Sequence, residues 1–243
     1  MDILFEISLL ILLVVVQSIF GVGLLLFGTP SFLLLGYDFP NTINILMPIS
    51  ISVSLLQFLN SKIKDKNFIA EFNYYCLPFL FLFLTLALTY RNIIDFKLYV
   101  AVLLVFSSLI IINKNKFSNF LKNFLKLKKV ILVLIGSIHG FTNMGGNFLS
   151  IYSILLAKNK KKISRYYISY GYLSMGIIQY LLILLLTFNS LNFSKLYYVL
   201  LSLIIYIPSQ KIFNKINNNK FSQIINWIAL IYGILIISKY LFA

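Results

Sequence analysis

SIHGFTNMGGNFLS, residues 137–150, interrupts an apolar run that would otherwise read as one membrane helix. It holds the only histidine of the chain, His139, together with Gly140, Gly145 and Gly146 and the two asparagines Asn143 and Asn147. Glycine weakens a helix interior, and asparagine competes with the helix by bonding nearby backbone. Lipid offers no hydrogen bonds to backbone freed in this way. Such a break is tolerated at membrane depth only where it is buried in protein or lines a wet cavity. The stretch is therefore expected to build a site.

The sequence on either side of it is that of a membrane protein. Of 243 residues, 60% are hydrophobic and 11% charged, whereas a soluble domain carries about a quarter charged residues. Apolar runs long enough to span a bilayer fall at 3–36 (interrupted), 42–60, 73–90, 97–113, 130–157 (interrupted), 168–188, 194–209 and 222–242. They leave no room for a soluble domain, so residues 1–243 read as a single integral membrane domain. The runs are continuous rather than alternating, which argues against a β-barrel. The first run opens on Asp2 and Glu6 rather than a basic region, so it is expected to stay in the membrane and not to leave as a signal peptide. The net charge of +15 sits in short loops, where lysines set orientation and meet anionic headgroups. No nucleic-acid partner is expected. Cys76 stands alone, which removes any intramolecular disulfide or thiolate metal cage.

The lysines also report on the interrupted segment. If all eight segments cross once, eleven basic residues fall on one side and ten on the other, which is no bias at all. If 130–157 enters and leaves on one face, the division becomes seventeen against four, the four being Arg91, Lys97, Lys195 and Lys239. The positive-inside rule favours the second arrangement. Its 28 residues are too few for two spans of about twenty, but they suffice for two half-length helices that meet at the glycines. This places the lysine-rich loops inside and both termini outside a cytoplasmic membrane.

A second break, QSIFGVGLLLFGTPSFLLLG at 17–36, contains Gly21, Gly23, Gly28 and Pro30. A shift of 122 residues lays 15–60 on 137–182 without a gap. Seven positions then coincide, among them Gly23 on Gly145, Ser31 on Ser153 and Gln57 on Gln179. The expected fold is all-α, with repeats near 3–113 and 130–242. Each repeat begins with a glycine-broken, re-entrant or half-helix element and continues with three transmembrane helices. An odd number of crossings per repeat inverts the second against the first. Inverted repeats place a substrate site near the midplane, between their broken elements.

GVGLLLFGTPSFLLLG and GFTNMGGNFLSIYSILL resemble the two glycine-rich motifs of the TauE/SafE sulfite exporter family, also called the toluene sulfonate uptake permease family, and the two-half organisation is similar over nearly the whole chain. The resemblance implies an inner-membrane permease for sulfite, thiosulfate or organosulfonates, coupled to protons or sodium. The chain carries Leu24 and Leu25 where the family often continues with glycines, and Asn143 in place of one glycine.

Half-helix N-termini carry partial positive charge and unpaired N–H groups, so they receive anions without a fixed cation. The expected substrate-binding residues are Gly21, Gly23, Thr29, Gln57, His139, Thr142, Asn143, Gly145, Gly146, Asn147 and Gln179. His139 suits a proton relay or a substrate contact, or equally a backbone carbonyl at the break. Gly136, Gly140, Gly171 and Gly176 suit close helix packing. Arg165 is open to two readings, orientation with lipid contact or attraction of anions at the inner mouth. No catalytic residue, cofactor or metal set is expected, because one histidine, one cysteine and no intramembrane acid leave an enzyme without its parts. Anion transport is the leading reading. The alternatives are an auxiliary membrane subunit and, behind it, a membrane-embedded enzyme.

Overall fold

The computed structural model describes residues 3–90, 127–191, 193–218 and scattered positions from 220 to 238. The expected span 97–113 and most of 222–242 lie outside the described residues. Every regular element among those described is helical.

Two pairs of short helices bracket the breaks. In the first, α1 (Ile3–Phe20) stops before Gly21, and α2 (Leu24–Leu34) starts after Gly23. α3 (Phe39–Leu59) follows, its first turn capped by the Asp38 side chain, which accepts from Asn41 N at 2.9 Å. Next come α4 (Lys66–Tyr75), capped in the same way by Asp65 on Phe68 N, and α5 (Leu77–Thr89). The second broken pair is α6 (Lys128–Thr142) and α7 (Gly146–Leu156), followed by α8 (Lys161–Thr187). Two 3-10 turns, Phe188–Ser190 and Phe193–Tyr198, lead into α9 (Val199–Lys215).

Four stretches are long and apolar enough to cross a membrane: Phe39–Leu59, Lys66–Thr89, Lys161–Thr187 and Phe193–Lys215. α8 begins seven residues before the expected segment at 168, and α9 runs six past the expected end at 209. Both extensions are polar and basic, and a hydropathy reading stops where the charges begin. Leu200, Leu203, Ile204 and Ile207 form an exposed apolar stripe along α9 at helical spacing, a surface suited to lipid.

The broken pairs are hairpins. At the open end of the first, Glu6 in α1 accepts from Tyr37 Oη beyond α2 at 3.0 Å. Lys195 closes the same corner, with Nζ donating to the two Glu6 oxygens at 2.6 and 2.5 Å. At the open end of the second, Lys128 and Leu156 line one cleft with Asp65 and Tyr167, and Lys128 pairs with Glu71. Tyr37 lies at the N-terminal end of α3. Asp65 lies beyond its C-terminal end, where it accepts from Tyr167 Oη at 2.8 Å and donates its N–H to Tyr166 Oη at 3.2 Å. The two hairpins thus open at opposite ends of α3.

The 122-residue offset recurs in the backbone. α2 and α7 each have eleven residues and start 122 apart, as do α3 and α8, while α1 and α6 end 122 apart. Gly21 N–H bonds Gln17 O at 2.7 Å, and Asn143 N–H bonds His139 O at 2.7 Å. Phe27 N–H to Gly23 O at 2.8 Å matches Leu149 N–H to Gly145 O at 2.9 Å. Tyr37 N–H to Phe32 O matches Asn159 N–H to Ile154 O, both at 3.0 Å.

Lipid tails are as apolar as leucine, so close packing and polar contacts must hold such helices together. A Cβ on Gly136 would lie 2.1 Å from Cys76 O, and one on Gly140 would lie 2.5 Å from Leu80 O. α6 therefore lies directly against the backbone of α5. Gly171 and Gly176 pack against Leu149 and Ile51.

Candidate functional site

Residues 21–30 and 142–147 are buried throughout, so the non-helical backbone at both tips is enclosed by protein, as its polar groups require. Gly21 has φ 80° and Asn143 φ 61°, the left-handed conformation at equivalent places in the two tips. Asparagine tolerates that region better than other residues with a side chain, which accounts for Asn143 standing where the resemblance leads one to expect glycine. Gly23 and Gly145 precede α2 and α7 and offer no side-chain cap, so neither glycine satisfies the first-turn N–H groups that open each helix.

The tips touch. Asn143 Nδ2 donates to Thr29 Oγ1 at 2.9 Å, joining the second break to α2 in the buried interior. Around this contact the two halves differ. In the first, Gln17 Nε2 donates to Ser50 Oγ at 2.9 Å and to Ser54 Oγ at 3.1 Å. Gln57 Nε2 donates to Gln17 O at 2.7 Å and Ser18 O at 3.0 Å. In the second, His139 takes the place of Gln17, and Tyr172 and Gly176 take those of Ser50 and Ser54. Gln179 Nε2 still donates to the equivalent carbonyl, His139 O, at 3.4 Å. The side chains are not satisfied, however. Both ring nitrogens of His139, Tyr172 Oη, Asn143 Oδ1 and Gln179 Oε1 are buried without a hydrogen-bond partner. The His139 and Tyr172 rings meet edge to face at 5.8 Å between centroids.

A buried polar atom without a partner costs about 1–3 kcal/mol. Five such atoms lie on four neighbouring side chains of the second tip, and of these Gln179 Oε1 has an equally unpartnered counterpart in the first, Gln57 Oε1. A Cβ on Gly146 would lie 1.5 Å from Tyr172 Oη, and one on Gly145 would lie 2.6 Å from His139 Cβ. The glycines therefore leave room for these side chains, and the Tyr172 hydroxyl rests on the first residue of α7. The sequence reading expects an open pocket between the tips. Here that place is closely packed, with Tyr172 filling it.

The expected residues fall into three groups. Thr29, His139, Asn143, Gly145, Gly146 and Gln179 belong to the tip cluster. Gly21, Gly23 and Gln57 shape and brace the first tip, and a Cβ on Gly23 would lie 2.6 Å from Val16 Cγ1. Thr142 works within its own turn, donating to Ile138 O at 2.7 Å and accepting from Met144 N at 3.2 Å. Asn147 is buried in the first turn of α7, where its carbonyl accepts from Ser150 Oγ at 2.7 Å. Sequence reasoning missed Tyr172. The signal was present: the 122-residue shift sets it on Ser50, one turn from Ser54 and two turns from Gln57 on α3. The chain matches no protein-family model, no curated protein and no solved structure.

Proposed function

We propose that the chain is a secondary permease moving a small anion across the cytoplasmic membrane. Sulfite, thiosulfate or an organosulfonate are the candidates, by resemblance to the TauE/SafE motifs. The observation that carries the reading is the buried, unpartnered cluster of His139, Asn143, Tyr172 and Gln179 at the joined tips. The donors of the cluster are the Tyr172 hydroxyl and one N–H of the neutral His139 ring, whereas Asn143 Oδ1 and Gln179 Oε1 only accept. With the first-turn amides of α7, these two donors suit an oxoanion, because they stabilise charge without a fixed cation that would trap it. The two hairpins dip from opposite faces as the broken elements of an eight-segment inverted repeat, with the lysine-rich loops inside. The substrate enters when Tyr172 leaves the α7 N-terminus, and His139 then donates to it. A proton or sodium ion drives the cycle.

Anion flux into proteoliposomes tests this reading. Asn143→Gly, which keeps the left-handed turn and removes only the side chain, loses flux of sulfite and thiosulfate while keeping its fold. Undiminished flux would remove the tip cluster as the substrate site.

A further inference from the structure

A cavity of about 530 Å³ opens where the end of α3, the first turns of α8 and the C-terminal half of α9 converge. Its wall carries three cations, Lys62, Lys162 and Arg165, with the amides of Gln57, Asn60 and Gln210 between them. No carboxylate lines it, and among the described residues the salt bridges are Lys128–Glu71 and Lys195–Glu6. The acid nearest in sequence, Asp65, is held by the Tyr167 hydroxyl and by the first turn of α4.

Arg165 differs from the two lysines, which are exposed. Its guanidinium lies 3.5 Å over the Phe213 ring. Nη1 donates to Gln210 Oε1 at 2.8 Å and reaches Ser18 O at 3.4 Å. Both bonds come from one nitrogen, so Nε and Nη2 make no hydrogen bond among the described residues, and Arg165 itself lines a cavity without an acid. A planar fork of this kind recognises an oxyanion through two parallel hydrogen bonds. The clustered positive charge concentrates anions at the mouth.

We propose that this cavity is an oxyanion-binding vestibule, with Arg165 as its bidentate ligand and Lys62 and Lys162 as the rim that draws the anion in. It is distinct from the tip cluster and holds its ligand by fixed charge rather than by neutral donors. Three of its lining residues tie it to the end of α1, where Ser18 O receives Gln57 at 3.0 Å, Gln210 at 3.3 Å and Arg165 at 3.4 Å. The shared chemistry is an oxyanion, either free in solution or the phosphate of an anionic lipid.

The test is binding of radiolabelled sulfate to the full-length protein in phosphatidylcholine nanodiscs at constant ionic strength, with chloride as the control salt. Binding is saturable and weakens roughly ten- to a hundredfold in Arg165→Gln, the value of hydrogen bonds to a charged group. Lys62→Gln/Lys162→Gln alters only exposed positions and decides the matter should Arg165→Gln fail to fold. It weakens binding severalfold, more at low salt than at high. Lys66→Gln, an exposed cation that does not line the cavity, leaves sulfate binding within about twofold. Phosphatidylglycerol added to the nanodisc separates the sources. Competition with sulfate identifies a lipid phosphate as the occupant, and absence of competition identifies the free anion. Either result supports the site. Sulfate and phosphatidylglycerol both failing to bind, or binding equally to wild type and the lysine variant, overturns it. Absent sulfate binding with flux intact refutes the vestibule alone, whereas sulfate binding without any flux refutes the transport reading alone.

Discussion

Replacing Asn143 separates a backbone requirement from a side-chain contact. The residue holds φ 61°, where alanine costs roughly 1–2 kcal/mol and glycine is at ease. Its amide donates to Thr29 Oγ1 at 2.9 Å, a buried neutral hydrogen bond contributing about 1 kcal/mol, with membrane pairs averaging nearer ~0.6 kcal/mol. Asn143→Ala loses both terms and falls by about 2–3 kcal/mol, while Asn143→Gly loses only the contact, about 1 kcal/mol. Thr29→Val deletes the partner hydroxyl at nearly constant volume. If the bond joins the hairpins, Asn143→Gly/Thr29→Val is less destabilised than the sum of the single changes by roughly 0.6–1 kcal/mol. The assay is equilibrium unfolding of wild type and the four variants in mixed micelles, titrated with a denaturing detergent and followed by circular dichroism. Equal losses for the glycine and alanine variants would refute the left-handed turn. A coupling within error of zero would refute the contact between hairpins.

Glu6→Gln leaves Lys195 without its carboxylate at the mouth of the first hairpin and costs about 3 kcal/mol, read as a lower melting temperature; Glu6→Leu/Lys195→Met recovers most of the loss. Tyr172→Phe removes an unpartnered buried hydroxyl, so stability rises by about 1–3 kcal/mol while anion flux falls about tenfold, the size of one lost hydrogen bond to the substrate. Stable protein with unchanged flux would show that the hydroxyl is no ligand. Gly136→Val drives a side chain into Cys76 O and separates α6 from α5, so monodisperse protein is lost on size-exclusion chromatography. A well-behaved Gly136→Val variant would contradict that packing.

Much of the architecture was legible in the chain because membranes make backbone needs visible. Glycine and asparagine clusters inside apolar runs marked both breaks, the 122-residue shift aligned them, and the same offset returns in helix ends and hydrogen bonds. Hydropathy misplaced the start of α8 because Lys161, Lys162 and Arg165 are helical yet polar. Glu6 read as a segment-end acid, whereas it is 2% exposed, and its partner Lys195 lies 189 residues away, a separation no local pattern reveals. Tyr172 escaped notice because its GYLSMG setting reads as small-residue packing. Only the fold sets its hydroxyl on Gly146. The vestibule combines three helix ends, and its cations read as ordinary loop charge until those ends converge.

Asp38 and Lys160 each precede the helix that follows a hairpin, are exposed, and stand 122 residues apart. Asp38→Cys and Lys160→Cys, each in a Cys76→Ala background, can be labelled in sealed vesicles with a membrane-impermeant maleimide. Hairpins dipping from opposite faces require the two positions to react from opposite sides, position 160 from the lysine-rich inner side. Labelling of both from the same side would contradict the inverted arrangement on which the shared tip site depends.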